Sequence, residues 1–237
     1  KVLQDPEATR LARLHAIWGI GQISRRTPAV LTSLNPAWQS DDAEVVAQCA
    51  KVAGDVPGHL GKIDGLRKHL LAAISNKSPR VQFFAAISLG KHKVEEAAPE
   101  LTNLLATGGS QDPYLRHAAM MGLKGALSPG RLASLHDHQN RTVRLGAIVA
   151  LRNLKSPEIT AFLKDRDELI LLEAARAIHD DQSIPEALPA LSQLLDRPGL
   201  TNEALIRRVI NAALRVGSYP ALLRLEGYLK RNEGSSK

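Results

Sequence analysis

A single cysteine, Cys49, stands among 237 residues. It excludes an intrachain disulfide and a cysteine-rich zinc site, and it leaves the redox compartment open. Aromatic residues are scarce as well, at 3%. Binding to unpaired bases wants several ring platforms side by side, and Trp18, Trp38, Tyr114, Tyr219 and Tyr228 are scattered along the chain. No apolar run approaches the roughly 18 residues that would span a bilayer, and no strand alternation is sustained. Signatures of chemistry are missing too. There is no G-x-S-x-G elbow and no G-x-x-x-x-G-K-[ST] loop, and the "GIG" at 19–21 lies inside a helical pattern followed by Gln22. The chain opens on Lys1 rather than Met, so it is expected to be trimmed from a longer protein, and the lack of a visible leader then says nothing about compartment.

What is present favours packed helices. Hydrophobic residues make up 44%, enough for a core. Lys and Arg number 31 against 24 Asp and Glu, a net charge of +7. That excess invites an acidic protein surface or a polyanion as partner.

The dominant signal is a repeat, to be sought before local detail. Ile20, Ala53, Leu89, Leu123, Leu151, Ile178 and Leu214 serve as anchors. Eight residues before them come Ala12, Val45, Val81, Leu115, Val143, Ile170 and Ile206. Four before them come Ala16, Cys49, Ala85, Ala119, Ala147, Ala174 and Ile210. Positions i, i+4 and i+8 lie along one side of a helix. Seven related helices therefore carry one buried stripe, most with a small residue at its middle, where neighbouring axes can approach. Gly122 and Gly146 extend the small surface. Cys49 falls on the middle position, which reads as core packing rather than a nucleophile.

Asp42, Ser78, Asp112, Asn140, Asp167 and Asn202 precede these helices and are good N-cap types. In "SPRV" and "DPYL" proline takes the first helical position. Shorter helices are predicted between the copies, over 63–74, 95–106, 129–138, 156–165 and 185–196, with a closing helix over 220–231. The predicted fold is all-α, a right-handed alpha-alpha solenoid of about seven HEAT-like helix pairs. Residues 1–231 read as one repeat domain and 232–237 as a linker-like tail. A pair cannot bury its apolar face alone, so neighbours supply the core.

The period, the proline punctuation and the V-R-x-x-A-A-x-A-L-G flavour resemble HEAT-like repeats over nearly the whole chain. A narrower resemblance rests on "RLHAIWGIGQISR" (13–25), "RVQFFAAISLGK" (80–91), "YLRHAAMMGL" (114–123), "EAARAIHDDQSIPEALPAL" (173–191) and "RRVINAALRVG" (207–217). These look like the helical-repeat segment of large exported planctomycete-type proteins, where a sugar-dehydrogenase-like propeller comes before it and a c-type cytochrome module after it. This chain has neither a propeller sequence nor a C-x-x-C-H. The resemblance thus implies a middle spacer, a heme-binding dehydrogenase parent with its redox chemistry elsewhere, and an exported or periplasmic location. It implies no catalytic, cofactor-binding or metal residue in this segment.

Among polar residues the arginines are the most patterned. One residue after the first stripe position, or one after the anchor, come Arg116, Lys124, Arg144, Arg152, Arg207 and Arg215. They are expected to form a basic ridge, either bound to caps and turn carbonyls of adjacent repeats or open to a partner. Five and six positions into each helix come pairs such as Ala86–Ile87, Met120–Met121 and Ile148–Val149, expected to pack on the next repeat. Trp18 differs, because in this chain the first copy lacks a preceding partner helix; it is the candidate contact to an upstream domain, the alternative being a cap formed by residues 1–10. His136 and His138, two apart, are poorly placed to chelate from one helix. His15 and His117 read as a core and an edge residue. His179 sits where a helix C-terminus favours a cation.

The expected function is a non-catalytic scaffold or spacer that binds flanking domains or a protein partner. A nucleic-acid-binding repeat with a basic surface, resembling the helical-repeat DNA glycosylases, is the alternative. A repeat-built chromophore lyase rests on fold analogy alone.

Overall fold

A computed structural model describes residues 1–56, 58, 63, 65–180 and 183–232. Among the described residues every regular element is helical. They fall into two compact units, Lys1–Ser128 and Pro129–Lys237.

The first unit contains α1 (Arg10–Ser24), a 3₁₀ segment (Pro28–Gln39), α2 (Ala43–Ala53), α3 (Leu66–Ala73), α4 (Pro79–Lys91), α5 (Ala98–Thr107) and α6 (Pro113–Ala126). The second contains α7 (Pro129–Ala133), α8 (Arg141–Asn153), a 3₁₀ segment (Pro157–Lys164), α9 (Glu168–His179), α10 (Leu188–Ser192), α11 (Glu203–Val216) and α12 (Tyr219–Asn232). All seven repeated helices form: α1, α2, α4, α6, α8, α9 and α11. The six expected caps each occupy the N-cap position. Asp112 and Asn140 each accept two backbone N–H groups. Ser78 alone accepts none, its own N–H being taken by Asn76 Oδ1 at 2.8 Å.

The stripes are buried as the repeat requires in the five inner copies. Val45, Cys49 and Ala53, then Val81, Ala85 and Leu89, and likewise Val143, Ala147 and Leu151, are at most 1% exposed. Each buried Val or Leu contributes about 1.5–3 kcal/mol of transfer free energy. The two end copies are shifted by one residue. In α1 the buried residues are Ile17, Gly21 and Ser24 rather than Ala12, Ala16 and Ile20. In α11 they are Leu205, Val209, Ala212 and Ala213, while Leu214 is 55% exposed. Helix α1 carries apolar residues around most of its girth, and α11 carries two adjacent apolar rows beside a charged face, so spacing alone does not choose the buried row in either.

The connecting elements also differ from expectation. Residues 157–164 are 3₁₀ throughout, 134–137 are 3₁₀ after the short α7, and α10 is flanked by 3₁₀ turns at 185–187 and 193–196. Pro28–Gln39 is a further 3₁₀ segment, with Pro36 inside it. The last five residues of the expected tail lie outside the described residues.

Within the first unit, α2, α4 and α6 run side by side in the same direction. Arg80 at the start of α4 pairs with Glu44 at the start of α2, and Lys91 at the end of α4 reaches Asp55 just beyond the end of α2, at 3.3 Å. Ser88 Oγ donates to the Ala50 carbonyl (2.6 Å), and His92 Nε2 lies 2.9 Å from the Ala53 carbonyl oxygen. Helices α4 and α6 meet on glycine. A Cβ on Gly90 would stand 2.8 Å from the Gly122 Cα, and one on Gly125 would stand 2.1 Å from the Gly90 carbonyl oxygen. No side chain fits between these backbones.

Candidate functional site

Each repeated helix turns one stripe inward, and its opposite row is exposed or half-buried. The paired positions expected to pack on the next repeat divide along that line. Ile17, Ala50, Ala86, Ile148 and Ala175 are buried. Their chain neighbours Trp18, Lys51 and Val149 are exposed, while Ile87 and Arg176 are half-buried. The expectation thus holds for the first member of these five pairs and only in part for the second, because successive residues are about 100° apart around a helix; in α11, whose stripe is shifted, the order reverses, Asn211 being exposed and Ala212 buried. Met120 and Met121 are both half-buried.

An outward row on a surface helix is ordinarily polar. On four of the seven helices it carries apolar residues, of which Tyr114, Val149 and Leu169 are exposed and the others half-buried. On α4 it reads Arg80, Phe83, Phe84, Ile87 and Lys91; on α6 it reads Tyr114, His117, Met121 and Lys124. In the second unit α8 presents Leu145 and Val149, and α9 presents Leu169 and Leu172. Tyr114 is 74% exposed, and Leu169 41%. Between the starts of α4 and α6, Pro79, Arg80, Phe83, Asp112, Tyr114 and Leu115 line a depression of about 320 Å³.

A polar chain holds the rim of this surface in the first unit. Trp18, 41% exposed, donates its indole N–H to Gln48 Oε1 at 2.9 Å. Gln48 Nε2 donates to Glu44 Oε1 (2.7 Å), and Arg80 binds both Glu44 oxygens. The Arg80 guanidinium also lies over the Phe84 ring, 5.2 Å from its centroid, with Phe83 edge-on to Phe84. Arg80, more than Gln48, holds the Glu44 carboxyl below the ordinary range, against the opposing effect of burial. Trp18 is therefore anchored to α2, with His15 edge-on at 5.2 Å. Leu11 and Ile23 are the exposed apolar residues on the rest of α1.

The six ridge candidates behave differently from one another. Arg116 Nη1 donates to the Gly109 carbonyl (2.7 Å). Arg144 donates to the His138 and Gln139 carbonyls and pairs with Asp165 at 2.8 Å. Arg215 donates to the His179 carbonyl and to Ser183 Oγ. Arg207 pairs with Glu203 one turn away. Lys124 and Arg152 have no hydrogen bond or ion pair among the described residues. Arg116 and Lys124 belong to the first unit and the other four to the second. The one-residue shift of α11 also takes Arg207 and Arg215 out of the frame shared by the other four.

Among the described residues no three His, Cys, Asp or Glu side chains gather as metal ligands would. His136 stands edge-on to Phe162, and His138 Nδ1 accepts the Asn140 N–H at 3.1 Å. Cys49 is fully buried, and that burial pushes its thiol up to about 12. The polar chain from Trp18 to Arg80 was not foreseen. The one clue was Gln48, a polar residue beside a stripe position.

No family model matches the chain, and no curated protein matches it in sequence. Among solved structures, an engineered protein superposes with a TM-score of 0.51 at 17% identity, over 96% of this chain and 70% of its own. The chain is an all-α helical-repeat protein. The complex of CpcE and CpcF of phycocyanin lyase from Nostoc sp. gives a TM-score of 0.48 at 20% identity, covering 89% of this chain and 90% of that one. Human deoxyhypusine hydroxylase in complex with glycerol gives 0.38 at 17% identity, covering 96% of this chain and 87% of that one. Likeness of this order carries no activity with it.

Proposed function

We propose that the chain is a non-catalytic helical-repeat scaffold that binds protein through the outward rows of its repeated helices. The observation that carries this reading is the apolar character of those rows on four helices: Phe83, Ile87, Tyr114 and Met121 in the first unit, Leu145, Val149, Leu169 and Leu172 in the second. Recurrent apolar surface at equivalent positions is what a protein partner buries. Flanking domains of the same chain are one source of such a partner. The finer reading, a spacer between a propeller and a cytochrome module of an exported protein, is supported by the resemblance of five segments. The sequence on either side of this chain tests it.

A photo-cross-linking side chain placed at Tyr114 or at Val149 is expected to give discrete protein adducts that excess unlabelled chain competes away. The same group at Glu100, exposed on α5, is expected to give none. Equal yields at all three positions would contradict the scaffold reading. So would duplex DNA binding that falls steeply with salt, survives substitution of the apolar row and disappears in Lys124→Ala plus Arg152→Ala.

A further inference from the structure

We infer that the outward surface of α2, α4 and α6 takes an acidic amphipathic helix as its partner. This rests on the scaffold reading and adds the partner's chemistry. The three helices present two different margins. At their starts charge is already balanced within the surface: Arg80 is bound to Glu44, and Asp112 caps α6 through the Tyr114 and Leu115 N–H groups. At their ends each helix carries a lysine in its last turn: Lys51, Lys91 and Lys124. Only Lys91 has an acidic partner, Asp55. Lys51 and Lys124 have none among the described residues.

Between these margins lie Phe83, Ile87, Tyr114 and Met121, with the depression beside Tyr114 large enough for one bulky apolar side chain. An apolar strip with one basic edge is complementary to a helix that has an apolar stripe and carboxylates along one side. The apolar anchor supplies affinity, and the lysine edge fixes direction and sign.

The test uses the full chain and a fluorescent synthetic helical peptide with leucines at i, i+3, i+4 and i+7 and glutamates along one flank. A second peptide carries lysines in place of the glutamates. Binding is read by anisotropy. The acidic peptide is expected to bind at least about tenfold more tightly than the basic one, and to weaken as salt rises. Lys51→Glu with Lys124→Glu, and separately Tyr114→Ala, are expected to weaken it by about tenfold each. Lys51 and Tyr114 are exposed and Lys124 is half-buried, and an unchanged helical circular dichroism spectrum checks the fold. If the basic peptide binds as well, and Tyr114→Ala weakens it, the acidic partner is wrong and the scaffold reading survives. If the acidic peptide does not bind, or binds all variants alike, the inference is overturned, and the cross-linking yields then decide the scaffold reading separately.

Discussion

Asp180 ends α9 and receives two hydrogen bonds from Arg208 on α11, from Nε at 2.9 Å and Nη2 at 2.8 Å. The guanidinium, helped by the His179 hydrogen bond, holds the carboxyl below its ordinary value of 3.8. A carboxylate with a depressed folded pKa adds stability above its unfolded pKa, and that stability is lost as pH falls through the folded value. Asp180→Asn should therefore cost on the order of 1 kcal/mol at neutral pH. The cost should shrink below about pH 4, as urea melts across pH 3–7 would show. A constant difference across that range would contradict the assignment. At this scale much was legible. The caps could be read from single residue types, and the burial of Cys49 from its stripe position. The ion pairs could not, because Arg208–Asp180 and Arg80–Glu44 join residues 28 and 36 apart in sequence, and no local pattern records which neighbour a flexible arginine reaches.

Helix packing depends on a few contacts with no tolerance for a side chain. Gly125→Ala would drive a methyl to 2.1 Å from the Gly90 carbonyl oxygen. It should lower stability toward the upper end of the roughly 1–3 kcal/mol typical of overpacked cores. Gly130→Ala on α7 meets nothing within 4 Å and should raise stability by up to about 1 kcal/mol. Thermal melts of the two variants test this contrast, and equal effects would contradict the close approach of α4 and α6. The repeated helices were legible because a four-residue apolar period survives in single copies. The one-residue shifts of α1 and α11 were not, since Ile206, Ile210 and Leu214 form as regular an apolar row as Leu205, Val209 and Ala213. The 3₁₀ connectors were missed for a related reason: their three-residue period differs little from that of an α-helix over one or two turns.

Over the whole molecule, one helix design is written seven times and divided between two compact units. The boundary at Ser128 falls where the repeat tightens, with only 28 residues from Leu123 to Leu151. The design fixes what is sealed, and the outward row is then free to vary. In this chain it varies toward Phe83, Tyr114, Met121, Val149 and Leu169, a choice that stacking does not require and that composition alone does not reveal. Hydroxyl-radical footprinting of the free chain, read by mass spectrometry, tests this most directly. Tyr114, Met121 and Leu169 should be modified readily, and Trp38 and Phe162, at 7% and 0% exposure, should be protected until the chain unfolds. Protection of Tyr114 and Met121 in the free chain, or modification of Phe162 at a comparable rate, would contradict an outward apolar row built on a sealed stripe.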